Sequence, residues 1–194
     1  MSQLVLYYAP GGSSMAAHIA LHEVGAPFEG RAMSFKNWDM RQPAFKQINP
    51  VGQVPTLLID GRVLTEVAGI LFYLARAYPS AGLLPADIEG QAQVVSWMSF
   101  IAATVHPARA KGPEESARVW ALAETKLGGR DWCVDAYSIA DIHLFRLFWR
   151  YVNSLHPPPG SFPGLEAHHD RMMARPAVIR TIAAESAVGY ELPA

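Results

Sequence analysis

The sequence predicts an α/β domain built on a small mixed sheet, followed by an all-helical domain. Three observations carry that prediction. Short apolar runs closed by Pro, Gly or Asp-Gly occur only before Tyr78, and they read as strands. Between the first two runs lies a stretch with helical apolar spacing, giving a βαβ unit and so two parallel strands joined by a right-handed crossover. After Tyr78-Pro79-Ser80-Ala81-Gly82 only helical spacing remains. We therefore expect residues 1–79 as the first domain, 80–86 as a linker and 87–194 as the second domain.

Taken in order, Leu4 to Ala9 is a buried first strand, broken by Pro10-Gly11-Gly12. Ser13 and Ser14 offer an N-cap to a helix carrying Ala16, Ile19, Ala20 and Val24, which Gly25-Ala26-Pro27 ends. Phe28 to Phe35 supplies the second strand, and 36–48 a loop with a short helical turn. Two strands around Asp60-Gly61 form a hairpin, and a helix apolar nearly all round runs from Glu66 to Tyr78. In the second domain the spacing predicts helices over 88–109, strained at Pro107, and over Glu114 to Leu127. Ser138-Ile139-Ala140-Asp141 is a capping box with Asp for Glu, opening a helix to about Val152. Pro163 and Pro176 start two more, reaching about Arg175 and Glu185.

Composition narrows the function. Of 194 residues, 51% are hydrophobic, and 16 basic against 17 acidic groups give a net charge of −1. No basic block is present, which argues against nucleic acid as a partner. The single cysteine, Cys133, excludes a disulfide framework and a multi-cysteine metal site, so no metal is expected. The N-terminal run lacks a basic leader, and no apolar run reaches the roughly 20 residues that span a bilayer. A soluble cytoplasmic protein without a membrane partner is the expectation.

Chemistry concentrates in the stretch Asn49 to Gly61 and in Thr65-Glu66. Pro55 enters an inner strand, where it fits either as an ordinary trans residue at the strand entrance or as a cis one. In the cis case the Val54 N–H and C=O are left to pair with an extended ligand. Glu66 at a helix start is either a dipole complement or the acceptor of a ligand ammonium, with the Val67 N–H beside it for a carboxylate. Ser13 and Ser14 either cap the first helix or donate an O–H to a bound thiolate, lowering the thiol's affinity for its proton. Cys133, between Trp132 and Val134, reads as core, and the pair His168-His169 as surface.

Together these motifs resemble the glutathione transferase family, and within it the bacterial beta class. They are Tyr7-Tyr8-Ala9-Pro10-Gly11-Gly12-Ser13-Ser14, Ile48-Asn49-Pro50-Val51-Gly52-Gln53-Val54-Pro55 and Leu64-Thr65-Glu66-Val67-Ala68-Gly69-Ile70. In the second half Trp97 to Ile101, His106, Tyr137 to Asp141 and Arg175-Pro176-Ala177-Val178 extend the match. The resemblance implies a thioredoxin-like N-terminal domain, an all-α C-terminal domain and a homodimer. It also implies glutathione as co-substrate, held by Ser13, Trp38, Gln53, Val54, Pro55, Glu66 and Val67. Pro10, Gly11, His106 and Arg109 then line a pocket for the electrophilic partner, and Ser138 and Asp141 are structural.

Three departures bear on activity. Ser13 stands where the beta class carries a cysteine, so a mixed disulfide with glutathione cannot form there. Trp38 stands at a position often basic in that class, and Pro107 follows His106. The region between His106 and Trp132 is short, and Val134 replaces a glycine. The expected function is a detoxifying transferase in which Ser13 activates the glutathione thiol for attack on an electrophilic small molecule. The alternatives are a non-catalytic glutathione-binding or regulatory protein, or a glutathione-dependent peroxidase, dehalogenase or isomerase.

Overall fold

The computed structural model describes residues 2–191; Met1 and residues 192–194, inside the expected domain limits, lie outside the described residues. The chain divides into two compact units. One holds the chain up to Tyr78 together with the stretch from Pro176 onward, and the other is Pro79–Arg175.

The first unit is a four-stranded mixed sheet in the order β2-β1-β3-β4. Its strands are β1 (Leu4–Tyr8), β2 (Glu29–Ala32), β3 (Thr56–Ile59) and β4 (Arg62–Thr65). β1 pairs parallel with β2 and antiparallel with β3, and β3 pairs antiparallel with β4. The second strand is shorter than the expected Phe28–Phe35 and fully exposed along its length, as befits an edge. The central strand β1 is buried throughout. Successive side chains alternate between faces, so Val5 and Tyr7 join Met40 and Phe45 in one cluster, while Leu4 and Leu6 turn to the opposite side. α1 (Met15–Val24) packs against α3 (Val67–Ala77) and against the last helix, Pro176–Val188. Seven consecutive residues of α1, Met15 to Leu21, are buried. The loop expected over 36–48 contains a 3₁₀ turn, Asp39–Arg41, and a short helix α2, Pro43–Ile48.

The hairpin turn is as the sequence predicts. Asp60 and Gly61 both have positive φ, 50° and 79°, the geometry that matches the twist of the flanking strands.

Helices are the regular elements of the second unit among the described residues. α4 (Ile88–Phe100) continues through a π turn, Ile101–Val105, into the short α5, His106–Ala108. The wide turn belongs to Pro107: its ring lacks an N–H and crowds the preceding turn, and the His106 N–H reaches back to the Ile101 carbonyl. α6 (Pro113–Leu127), α7 (Ile139–Leu155) and α8 (Pro163–Met173) follow; α9 (Pro176–Val188) belongs to the first unit. α7 is buried continuously from Ile139 to Tyr151 and packs on α4 and α8. Its capping box is complete: Ser138 and Asp141 satisfy one another's backbone, and Asp141 Oδ1 also accepts from Cys133 N–H at 2.7 Å. Ser138 is thus structural, as expected.

His168 corrects an expectation. It is fully buried rather than on the surface, and its Nε2–H donates to Asp141 Oδ1 at 3.0 Å. An i, i+1 histidine pair carries no signal of a partner 27 residues away, which is why the sequence did not show it.

Candidate functional site

Strand register gathers the candidate residues at one end of the sheet. Tyr7 lies opposite Thr56, and Thr56 opposite Thr65. Stepping off β3 toward its start therefore brings Pro55 and Val54 beside the residues that follow β4, Glu66 and Val67, and those that follow β1. The Val54-Pro55 peptide is cis. The loop before it is held chiefly by a buried side chain, Asn49. Its Nδ2 donates to Gln53 O and to Thr56 Oγ1, both at 2.9 Å, and its Oδ1 accepts the Val51 N–H at 3.1 Å. Gly52 is required in this loop twice over: its φ is +68°, and a Cβ would meet the Met40 carbonyl at 2.7 Å.

Ser14 stands at the N-cap position of α1, as the sequence offers, but neither serine side chain makes a cap hydrogen bond. Ser14 is fully buried and folds its hydroxyl back on β1, accepting from Ala9 N–H at 3.0 Å and donating to Ala9 O at 3.1 Å. Ser13 is partly exposed, and its Oγ–H donates to Val54 O at 2.9 Å. The Val54 carbonyl expected to face a ligand therefore already accepts one hydroxyl, while the Val54 N–H has no partner among the described residues. Two different jobs follow from one Ser-Ser pair: Ser14 ties the helix start to the end of β1, and Ser13 bonds the Val54 carbonyl.

Glu66 is exposed and takes φ 67°, ψ 130°, a conformation that L side chains rarely adopt. It makes no cap bond with its side chain, so the helix-complement role is not carried by a hydrogen bond. The α3 N-terminus, beginning at Val67, is thus uncapped by a side chain. Gln53 is exposed with its carbonyl used by Asn49 and Thr56. Trp38 is 65% exposed at φ 56°, and no hydrogen bond or ring contact joins its side chain to this group among the described residues.

Pro10 and Gly11 are buried at the end of β1. The Gly11 N–H donates to Glu185 Oε2 at 2.6 Å, and His18 Nδ1–H donates to Glu185 Oε1 at 2.9 Å. Glu185, fully buried on α9, thus fastens the turn that carries Ser13. It was missed as a site residue because a carboxylate near a helix end reads as solvated surface. Burial first, then the Glu185 charge, push the Tyr8 phenol up from its ordinary value.

In the second unit, His106 and Arg109 line one cavity with Arg146 and Arg150. Cys133, Asp141 and His168 bring donor atoms within 4.8 Å of one another. That trio is the interior of the capping box: Asp141 already accepts from Cys133 N–H, Ser138 and His168. Burial, then the Asp141 carboxylate, push the Cys133 thiol well up, which makes it a core thiol rather than a nucleophile.

A thioredoxin-like sheet domain that presents backbone beside a proline, joined to an all-helical unit, defines the class of protein. Its family follows from comparison with known proteins. Residues 2–76 match the family model for the glutathione S-transferase N-terminal domain, and residues 71–176 that for the C-terminal domain. The chain belongs to the glutathione S-transferase family. It is 33% identical to glutathione S-transferase GstA of Escherichia coli O157:H7, over 93% of this chain and 98% of that protein. Among solved structures it is similar to a glutathione S-transferase from Xylella fastidiosa, with a TM-score of 0.85 and 26% identity over 95% of this chain and 99% of that one. A sphingomonad glutathione S-transferase complexed with glutathione superposes with a TM-score of 0.83 at 31% identity, over 94% of this chain and 98% of that one. Among the described residues no helix is long and apolar enough to cross a membrane.

Proposed function

We propose that the chain binds reduced glutathione on its first unit and activates the thiol with Ser13 for attack on an electrophilic carbon of a small molecule. The observation that carries this reading is the 2.9 Å bond from Ser13 Oγ to Val54 O. An extended peptide thiol lying along Val54 gives its cysteinyl N–H to the Val54 carbonyl and takes the Val54 N–H on its own carbonyl. The Ser13 hydroxyl is then released toward the sulfur. A free thiol ionises near a pKa of about 8.5, and a donor O–H at a helix N-terminus lowers that value. The thiol proton leaves to water, the thiolate forms the C–S bond, and the leaving group carries away the electron pair. No general base is needed. Glu66 takes the γ-glutamyl ammonium and the Val67 N–H its carboxylate; Pro55, Gln53 and Trp38 complete the proposed set. His106 and Arg109 are proposed as co-substrate contacts, and a homodimer as the assembly. The solved relative complexed with glutathione supports the choice of ligand.

Calorimetry with glutathione tests the cradle, with Glu66→Ala expected to bind at least about tenfold more weakly. Equal affinity removes Glu66 from the site. Conjugation of an aryl halide tests the chemistry, Ser13→Ala being expected to lose roughly a hundredfold in rate, as loss of a transition-state donor does. If wild type and variant both show only the uncatalysed rate with several electrophiles, the chain holds glutathione without turning it over.

A further inference from the structure

The segment after β2 is anchored beside the candidate site at both of its ends. β2 stops at Ala32, opposite Tyr8, and the next N–H, that of Met33, donates to the Tyr8 carbonyl at 2.7 Å. The chain therefore leaves the sheet at the end where Ser13 follows β1. At the far end the Met40 carbonyl packs on Gly52, two residues before Val54, where a Cβ would meet it at 2.7 Å. Between these anchors residues 34–39 close into a turn. Ser34 N–H donates to Asp39 Oδ2 at 2.7 Å, Asp39 N–H to Ser34 O at 3.1 Å, and Trp38 N–H to Phe35 O at 3.2 Å. Trp38 sits in this turn at φ 56° with 65% of its surface exposed. Left-handed backbone is unfavourable for so bulky a residue, so the turn persists only where it is held.

Part of that hold comes from the far end of the sequence. α9 stops at Val188, Gly189 turns the chain at φ 100°, and Glu191 reaches the turn. Its Oε2 accepts from Ser34 Oγ at 2.7 Å and from Lys36 N–H at 3.2 Å. The same Ser34 hydroxyl accepts the Asn37 N–H at 3.0 Å. These donors, the hydroxyl first, hold the Glu191 carboxyl below its ordinary value. The last helix and the residues after it thus bring two carboxylates to two segments near the site: Glu185 to the Gly11 turn, Glu191 to the Trp38 turn.

We infer that Glu191 is a positioning residue for the thiol site: it tethers the 34–39 turn and so sets where Trp38 stands beside a bound peptide thiol. It acts through Ser34 and the turn backbone. The tether is a property of the first unit alone, and its effect on binding rests on the proposed glutathione site.

Two measurements on the full chain test these steps separately. Without ligand, acrylamide quenching of each protein is compared with that of its Trp38→Phe counterpart, which isolates Trp38 among the five tryptophans. Glu191→Ala and Ser34→Ala are each expected to raise the Trp38 quenching constant while leaving the urea midpoint unchanged. Unchanged quenching in Glu191→Ala overturns the tether. With glutathione, calorimetry is expected to show binding about threefold weaker in Glu191→Ala, the loss of one net hydrogen bond. Glu191→Gln keeps an oxygen for both donors and is expected to bind within about twofold of wild type. Glu191→Ala combined with Trp38→Ala is expected to bind no more weakly than Trp38→Ala alone, since the tether then has nothing left to place. Additive losses in that pair, or Glu191→Gln as weak as Glu191→Ala, overturn action through Trp38. Wild-type binding with equal affinity in Glu191→Ala overturns the positioning role and leaves the proposed function standing; absence of binding by wild type overturns both.

Discussion

Glu185 and Asn49 show how a single buried polar side chain sets a site it does not enter. Each spends hydrogen bonds on backbone that would otherwise wander: Glu185 on Gly11, two residues before Ser13, and Asn49 on Val51 and Gln53, the latter directly before Val54. Bonds to a buried carboxylate are worth about 1.5–3 kcal/mol each. Glu185→Ala is therefore expected to cost about 3 kcal/mol by urea denaturation and, with glutathione, to raise KM more than Ser13→Ala does. A variant as stable as wild type would show that the Gly11 turn holds itself. Ser13, Val54, Pro55 and Glu66 could be singled out in the sequence because their chemistry is local: a proline at a strand entrance, a carboxylate at a helix start, hydroxyls after a glycine turn. Glu185 could not, because its partner lies 174 residues away and nothing at short range distinguishes it from a solvated glutamate.

At the scale of elements, the sequence was most legible where a motif closes on itself. Asp60-Gly61 turns the hairpin, and Ser138 to Asp141 caps α7, both within four residues. The π turn before Pro107 was visible only as strain, because the sequence shows the missing N–H but not which earlier carbonyl the chain selects. α7 offers the clearest element-level test. Ser138→Ala removes one cap acceptor and is expected to cost about 1–2 kcal/mol. Asp141→Ala is expected to cost more, about 4 kcal/mol, because it also strips the acceptor from Cys133 N–H and from buried His168. Chemical denaturation of the two variants checks the order. In the first unit the loop ahead of β3 invites a parallel test, Gly52→Ala. It is expected to lose roughly 2–4 kcal/mol, since its Cβ would sit at positive φ against the Met40 carbonyl. Glutathione affinity should fall with it, because the same loop presents Val54.

Across the whole molecule, histidines held below their ordinary value make stability depend on pH in a window where carboxylates do not, His143 and His22 furthest among them. His143 on α7 is buried, its Nδ1 has no partner among the described residues, and burial with the charges of Arg146 and His106 lowers its pKa from 6.5 to about 3. In the first unit His22 is lowered to about 4, by burial first and then by His18 and Arg180. In both cases the unfolded chain takes up the proton before the folded one does. Stability is then fully present above pH 6.5 and drains as pH falls, until about pH 4 for His22 and about pH 3 for His143. The groups held low on the acidic side, such as Glu29 and Asp60, act in the same direction but only within and below the carboxylate range. The interval from pH 7 to 5 therefore isolates the imidazoles. A tenfold change in proton affinity is worth about 1.4 kcal/mol, so His143 alone is expected to remove about 2 kcal/mol by pH 5. Urea midpoints measured at pH 7, 6 and 5 should fall steadily in the wild-type chain and less steeply in His143→Gln, where the titrating group is gone. A flat wild-type profile over that interval would mean that water reaches His143 in the folded state and stabilises its charge.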